Sequence, residues 1–239
     1  MAEDEIAKHS RKIYKTWFNK ELTIWHKISE FLIEMTIIVF AVSISIWFHN
    51  MSEHKHQQEE VKQFLTGLKA DLMQDINEME NDKESYRKQS ALFTYLGKLK
   101  KNGIPSKDTL NAYNNWLTNT TALNPNDGRF QGFKSSGKIG TIENDSLQND
   151  IMDLYEEDIP MLLHSTDAYI RIKNMFFDLL NKNTKRLTDS TDNMIDVIKS
   201  DESFNLCRSL SSPAQVLERY DLCIQLMKRI IARIDKEYQ

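Results

Sequence analysis

Residues 31–48 read FLIEMTIIVFAVSISIWF, an apolar run in which Glu34 is the one ionisable side chain. Counted from Ile28, the run reaches the roughly 20 residues that carry a helix across a bilayer. A buried core helix of this length keeps a polar stripe. A signal peptide has a shorter apolar core followed by a small-residue cleavage site. This run exits instead into Trp47-Phe-His-Asn-Met-Ser-Glu53. The expected layout is a stub (residues 1–27), a retained span (28–49) and a large polar domain (50–239).

Basic residues set the expected orientation. Lys8, Arg11, Lys12, Lys15, Lys20 and Lys27 precede the run, and only Lys55 and Lys62 follow it closely. Positive flanks stay on the cytoplasmic side, so the stub is expected inside and the domain outside. Trp25 and Trp47 lie near the two ends of the span, where indoles prefer the headgroup zone. In the stub, Ile6, Ile13, Tyr14, Trp17, Phe18, Leu22 and Trp25 recur at near-helical spacing among the lysines. Two readings fit: a basic amphipathic helix on anionic lipid, or a flank that only fixes orientation. With a net charge of -4 over the whole chain, nucleic acid is not an expected partner.

An ionisable residue within a span marks a candidate function. Glu34 sits about two turns from Ile28, within snorkelling reach of the interface. With no second acid, His or Arg in the run, it makes a poor proton path. The readings left are a structural role and a helix–helix contact. Ala41 and Ser45 form a small-xxx-small pair that would let a second helix approach closely. Glu34, Ala41 and Ser45 are therefore the candidate contact residues in the membrane.

The stretch from Glu34 to Glu53 also resembles the N-terminal hallmark of a bacterial family of uncharacterised single-pass membrane proteins. Glu34 matches the family's acid, Ala41 and Ser45 its small positions, and Asn50 and Glu53 its exit. Met51 stands where the family tends to have Trp, and Ala41 where it often has Gly. The segment from Phe64 through Leu65 and Leu68 to Asp71 and Leu72 is similar to the family's leucine-rich acidic helix. The segment from Phe133 to Ile142, with Leu147, is similar to its central part. The likeness covers about two-thirds of the chain. It implies a protein of the bacterial inner membrane with an exported (periplasmic) helical domain, and it implies no activity and no functional residues.

In the domain, Val61, Leu65, Leu68, Leu72, Ile76 and Met79 follow spacings of three and four, a helical stripe. This predicts a long first helix continuing from the span to a C-cap near Asn102-Gly103. A short helix is expected after Pro105-Ser106, through Leu110, Tyr113 and Trp116. Asp127 can cap a helix running to Ser136, and Asn144 or Asp145 the next one. Pro160 marks a kink or restart before a stripe from Leu162 to Leu179. Ser212-Pro213 opens a last helix through Val216, Tyr220, Cys223, Met227, Ile230 and Ile234. The chain has seven Gly and four Pro and no sustained period-two alternation, so the expected fold is all-α. It should comprise one N-terminal transmembrane helix continuing into a long helix, then a soluble multi-helix bundle.

Candidate chemistry is sparse. Gly132-Phe-Lys-Ser-Ser-Gly137-Lys138 has the spacing of a phosphate-binding loop, but Ile139 replaces the magnesium-holding Ser/Thr and a capped helical stretch precedes it. Nucleotide is not an expected ligand. His49, His54 and His56, with Glu53, Glu59 and Glu60, do not converge on one helix face, so no metal site is expected. Cys207 and Cys223 are a candidate disulfide in an oxidising compartment, or else small buried hydrophobes. Catalytic, cofactor and metal residues are all read as none. The expected role is a non-enzymatic, membrane-anchored interaction or scaffold protein, whose partners are membrane lipid and another envelope protein or a second copy. Phe130 and Phe133 are the expected exposed contact surface. The alternative is a sensory module whose exported helices bind a ligand and signal through a partner.

Overall fold

The computed structural model describes residues 8, 11, 12, 14, 23–99, 103, 105, 106, 108, 109, 116, 117, 119–189 and 191–238. The described chain is helical, without a strand, and divides into two compact units, Met1–Glu60 and Val61–Gln239. In the first unit, Lys8, Arg11, Lys12 and Tyr14 are helical, and α1 (Ile24–Gly97) begins. No Pro interrupts α1, and Gly67 lies inside it. The helix ends at Gly97, earlier than the expected Asn102-Gly103. The expected short helix through Leu110, Tyr113 and Trp116 falls largely outside the described residues.

The second unit is built on the part of α1 from Val61 onward. Its stripe Val61, Phe64, Leu65, Leu68, Leu72, Met79, Tyr86, Phe93 and Leu96 is buried, as the spacing requires. The remaining elements are α2 (Gly128–Ser135), a 3-10 turn (Ile139–Thr141), α3 (Asp145–Asp153), a π-helical turn (Leu154–Asp158) and α4 (Ile159–Asn183). They are followed by α5 (Met194–Ile198), α6 (Asp201–Leu210) and α7 (Ala214–Tyr238). α4 lies against both α6 and α7. Aromatic pairs join these helices to α1: Tyr86 meets Tyr169 edge-on at 5.1 Å, and Phe93 meets Phe176 at 5.4 Å. Such pairs contribute ~0.5–1.5 kcal/mol each beyond their buried area.

The caps explain the boundaries. Asn144 accepts a hydrogen bond from the Leu147 amide at 2.9 Å, which starts α3. Ser200 does the same for the Ser203 amide at 3.2 Å and starts α6, a helix that sequence periodicity did not single out. Asp127 precedes α2, but its carboxylate accepts from the Gln131 side chain rather than from a backbone amide. Gly137 takes φ +75, the left-handed conformation that stops α2. α2 occupies Gly132 itself, so the glycine-lysine spacing there lies on a helix with no strand before it.

One expectation is overturned. Phe130 is fully buried and stacks on Tyr155 at 4.4 Å, and Phe133 stacks on Phe64 at 4.0 Å. α2 turns this side toward α1 and the π-helical turn, so the two rings belong to the core instead of an exposed contact surface. Tyr155 reaches Phe130 from that turn.

Candidate functional site

In the first unit, most side chains of the apolar run are exposed. An 18-residue window of α1 has mean hydropathy 2.2, with 6% of it buried. Leu32, Val39, Phe40, Ile46 and Trp47 are each more than half exposed. This is the one helix, among the described residues, long and apolar enough to cross a membrane.

The exception within the run is its charge. Glu34 is 1% exposed, and Lys12 Nζ lies 3.0 Å from its Oε1. The same ammonium is 3.9 Å from Glu30, one turn earlier. Glu34 raises the Lys12 pKa above its ordinary value, first by hydrogen bonding and then by charge. Glu34 therefore has a partner within its own chain. The hydroxyl of Ser45 donates to the Ala41 carbonyl at 2.9 Å, so both small residues of the sequence motif are tied into one helical turn. His49, His54 and His56 are exposed along α1, with His56 3.7 Å from Glu60.

In the second unit, two depressions flank the π-helical turn. Pro160 explains that turn. It has no N–H, and its ring would strike the carbonyl four residues earlier in a regular helix. Widening to a π turn, in which the Ile159 amide bonds the Leu154 carbonyl, relieves the clash. A groove of about 540 Å³ runs past Glu156, Glu157, Pro160, Met161, His164 and Arg219. A smaller one, of about 260 Å³, lies on the other side of Glu157, by Asp150, Asp158, Leu222 and Arg229.

Charge around these grooves is largely compensated in pairs. Glu156 pairs with Lys134 at 2.7 Å, and Asp150 with Arg233 at 2.8 Å and Arg229 at 3.5 Å. Burial pushes the Asp158 carboxyl up, while Arg219 and Arg229 draw it back. The Ser165 hydroxyl in the larger groove donates to the Met161 carbonyl at 3.0 Å, so it is engaged with backbone rather than with a base. No group of three His, Cys, Asp or Glu is placed to hold a metal ion among the described residues.

Two further features escape sequence reasoning. Lys173 is fully buried on α4, and its ammonium donates to Gln89 Oε1 at 2.7 Å, to the Trp116 carbonyl at 2.9 Å and to the Asn119 carbonyl. Burial pushes its pKa down to about 8. Asp75 is also fully buried and accepts bonds from the backbone amide and the side chain of Asn126, which fastens the turn before α2 to α1. A Lys in the polar-to-apolar alternation of α4 gives no hint of its partners, because they lie 54 to 84 residues away. Cys207 on α6 and Cys223 on α7 are both buried free thiols, with no bond between them. Burial raises them to about 11 and about 12. Each sits on a core-facing stripe, as a small hydrophobe would.

Residues 33–210 match the model of a family of unknown function (DUF6090). The chain belongs to that family. The match starts one residue before Glu34 and ends at Leu210, so it takes in the apolar run from Ile33 onward and both grooves' α3–α4 wall. Comparison with curated proteins and with solved structures finds no match.

Proposed function

We propose that this chain is a non-enzymatic interaction or scaffold protein of the bacterial envelope. One span anchors it, with the stub in the cytoplasm and the helical bundle outside the inner membrane. The observation that carries the reading is the exposed apolar run. Removing so much apolar surface from water is worth ~25 cal/mol per Å², and nothing in the described chain covers it. Lipid or a partner helix supplies the cover. The excess of Lys and Arg before the run supports the orientation. In the bundle, the Ser165 hydroxyl is engaged with backbone, and Glu156 and Asp150 with opposite charges, an arrangement suited to docking rather than to bond making.

A partner would be another envelope protein or a second copy. Mild-detergent purification from native membranes after brief crosslinking, followed by mass spectrometry, tests this. A stoichiometric envelope protein or a defined homo-oligomer supports the proposal. Recovery only as a monomer counts against it. The sensory alternative draws on the 540 Å³ groove, where Met161 and Pro160 offer apolar floor beside Arg219. A small molecule retained by the purified protein, and lost on Arg219→Ala, would favour that alternative.

A further inference from the structure

Among the described residues from 23 to 60, Glu34 is the one that is buried, and its neighbours Ile33 and Met35 stand exposed. One turn to either side, Glu30 and Ile38 are half-buried. The three residues share one face of α1 at a spacing of four. Lys12 meets this face in contact with both acids, and His26, one turn before Glu30 on the same helix, lies 3.7 Å from it. Glu34 lies ten residues into α1, roughly 15 Å from its start at ~1.5 Å per residue. Lys12 precedes that start by twelve residues, yet it stands level with the third turn.

A pair of opposite charges with one member 59% exposed does not belong in hydrocarbon, where each would lose its water without full compensation. Lys8 and Arg11, at neighbouring positions, are exposed as well. We infer that the Lys12–Glu34 pair is a clasp in the cytoplasmic headgroup layer, and that the hydrocarbon crossing begins at Met35 rather than at Ile28. The inference rests on the span proposed above and resets its boundary. Residues 35–52 hold no Asp, Glu, Lys or Arg, and Glu53 closes the stretch. At ~1.5 Å per residue they extend about 27 Å, close to the ~30 Å of a hydrocarbon core. Trp25, 82% exposed and before the clasp, falls on the water side of this boundary.

Leu32 and Val39 give a direct test. Both are 58% exposed, and they lie seven residues apart, nearly on one face, so they differ in depth rather than direction. Single Leu32→Cys and Val39→Cys variants of the full chain are placed in phosphatidylethanolamine–phosphatidylglycerol vesicles and treated with N-ethylmaleimide. The parent chain, whose two thiols are buried, sets the background. A thiol reacts as thiolate, which hydrocarbon suppresses, so residue 32 should label at least about tenfold faster than residue 39. Equal protection of both puts the boundary before residue 32 and overturns the inference while the span stands. Rapid labelling of both overturns the span too. In the same vesicles a carbodiimide should join Lys12 to Glu34, and Lys12→Gln should abolish that product. The Lys134–Glu156 pair, at 2.7 Å, is the internal control. If the control product forms and the Lys12–Glu34 product does not, the clasp is wrong.

Discussion

Lys173 offers the sharpest test of how the bundle is held together. Its ammonium is fully buried and spends its three N–H groups on three neutral oxygens, with no carboxylate within ion-pair distance among the described residues. Replacement by Met keeps the length and removes the charge. It also strands the Gln89, Trp116 and Asn119 oxygens, at about 1 kcal/mol each where they can turn to water and more where they cannot. Against that loss stands the cost of burying the ammonium. A drop from 10.5 to about 8 corresponds to roughly 3 kcal/mol at ~1.36 kcal/mol per pH unit. The two terms nearly cancel near neutrality, so Lys173→Met should change stability there by no more than about 2 kcal/mol.

The pH dependence separates the terms. A lysine whose folded pKa is lowered binds fewer protons folded than unfolded between about 8 and 10.5, so stability rises with pH through that window. Between about pH 7 and pH 9 the parent should gain on the Met variant by roughly 1.3 kcal/mol. The raised thiols work the other way. Cys207 and Cys223 stabilise the fold below the ordinary thiol value and lose that contribution above it, but equally in both proteins. Urea unfolding of the full-length chains in detergent, followed by circular dichroism at several pH values, reads the difference. A parent-minus-variant stability that is flat or falling from pH 7 to 9 would falsify this account of Lys173.

Other perturbations follow from the same packing. A Cβ at Gly67 would overlap the guanidinium of Arg129, which reaches Asp71 at 2.8 Å. Gly67→Ala should therefore be close to neutral, the helix gain of ~1 kcal/mol offsetting loss of that half-exposed pair. In an Arg129→Ala background the same change should stabilise by the full ~1 kcal/mol, and additive effects in the double-mutant cycle would refute the overlap. Asn144→Ala should lower stability by about 1 kcal/mol and speed amide exchange in the first turn of α3. Phe130→Ala, which empties the site against Tyr155, should cost ~3–5 kcal/mol in urea unfolding. Cys207 and Cys223 should resist maleimide at neutral pH in the folded chain and react once urea unfolds it; labelling at the rate of an exposed thiol would contradict their burial.

The all-α class, the long first helix, the apolar run and the buried stripes of α1, α4 and α7 were legible in the amino-acid sequence. Each depends on local periodicity or run length, which neighbouring residues carry by themselves. The cap of α3 was legible for the same reason, as was the interruption at Pro160. Helix α6 was not, because its ten residues are short and its Ser200 cap lies among other small polar residues. Tertiary structure alone decided which polar residues enter the core and what they meet there. Asp75, Lys83, Gln89 and Lys173 interrupt apolar stripes, and no local rule distinguishes them from solvent-facing positions. Their partners Asn126, Asp221, Thr121 and the carbonyls at 116 and 119 come from distant segments. Phe130 and Phe133 looked like surface because α2 is short, and its docking against α1 and Tyr155 buried one and covered the other. Glu34 combined both lessons: composition marked it as the odd residue in an apolar run, and only the fold, by bringing Lys12 level with it, provided the opposite charge that makes its burial tolerable.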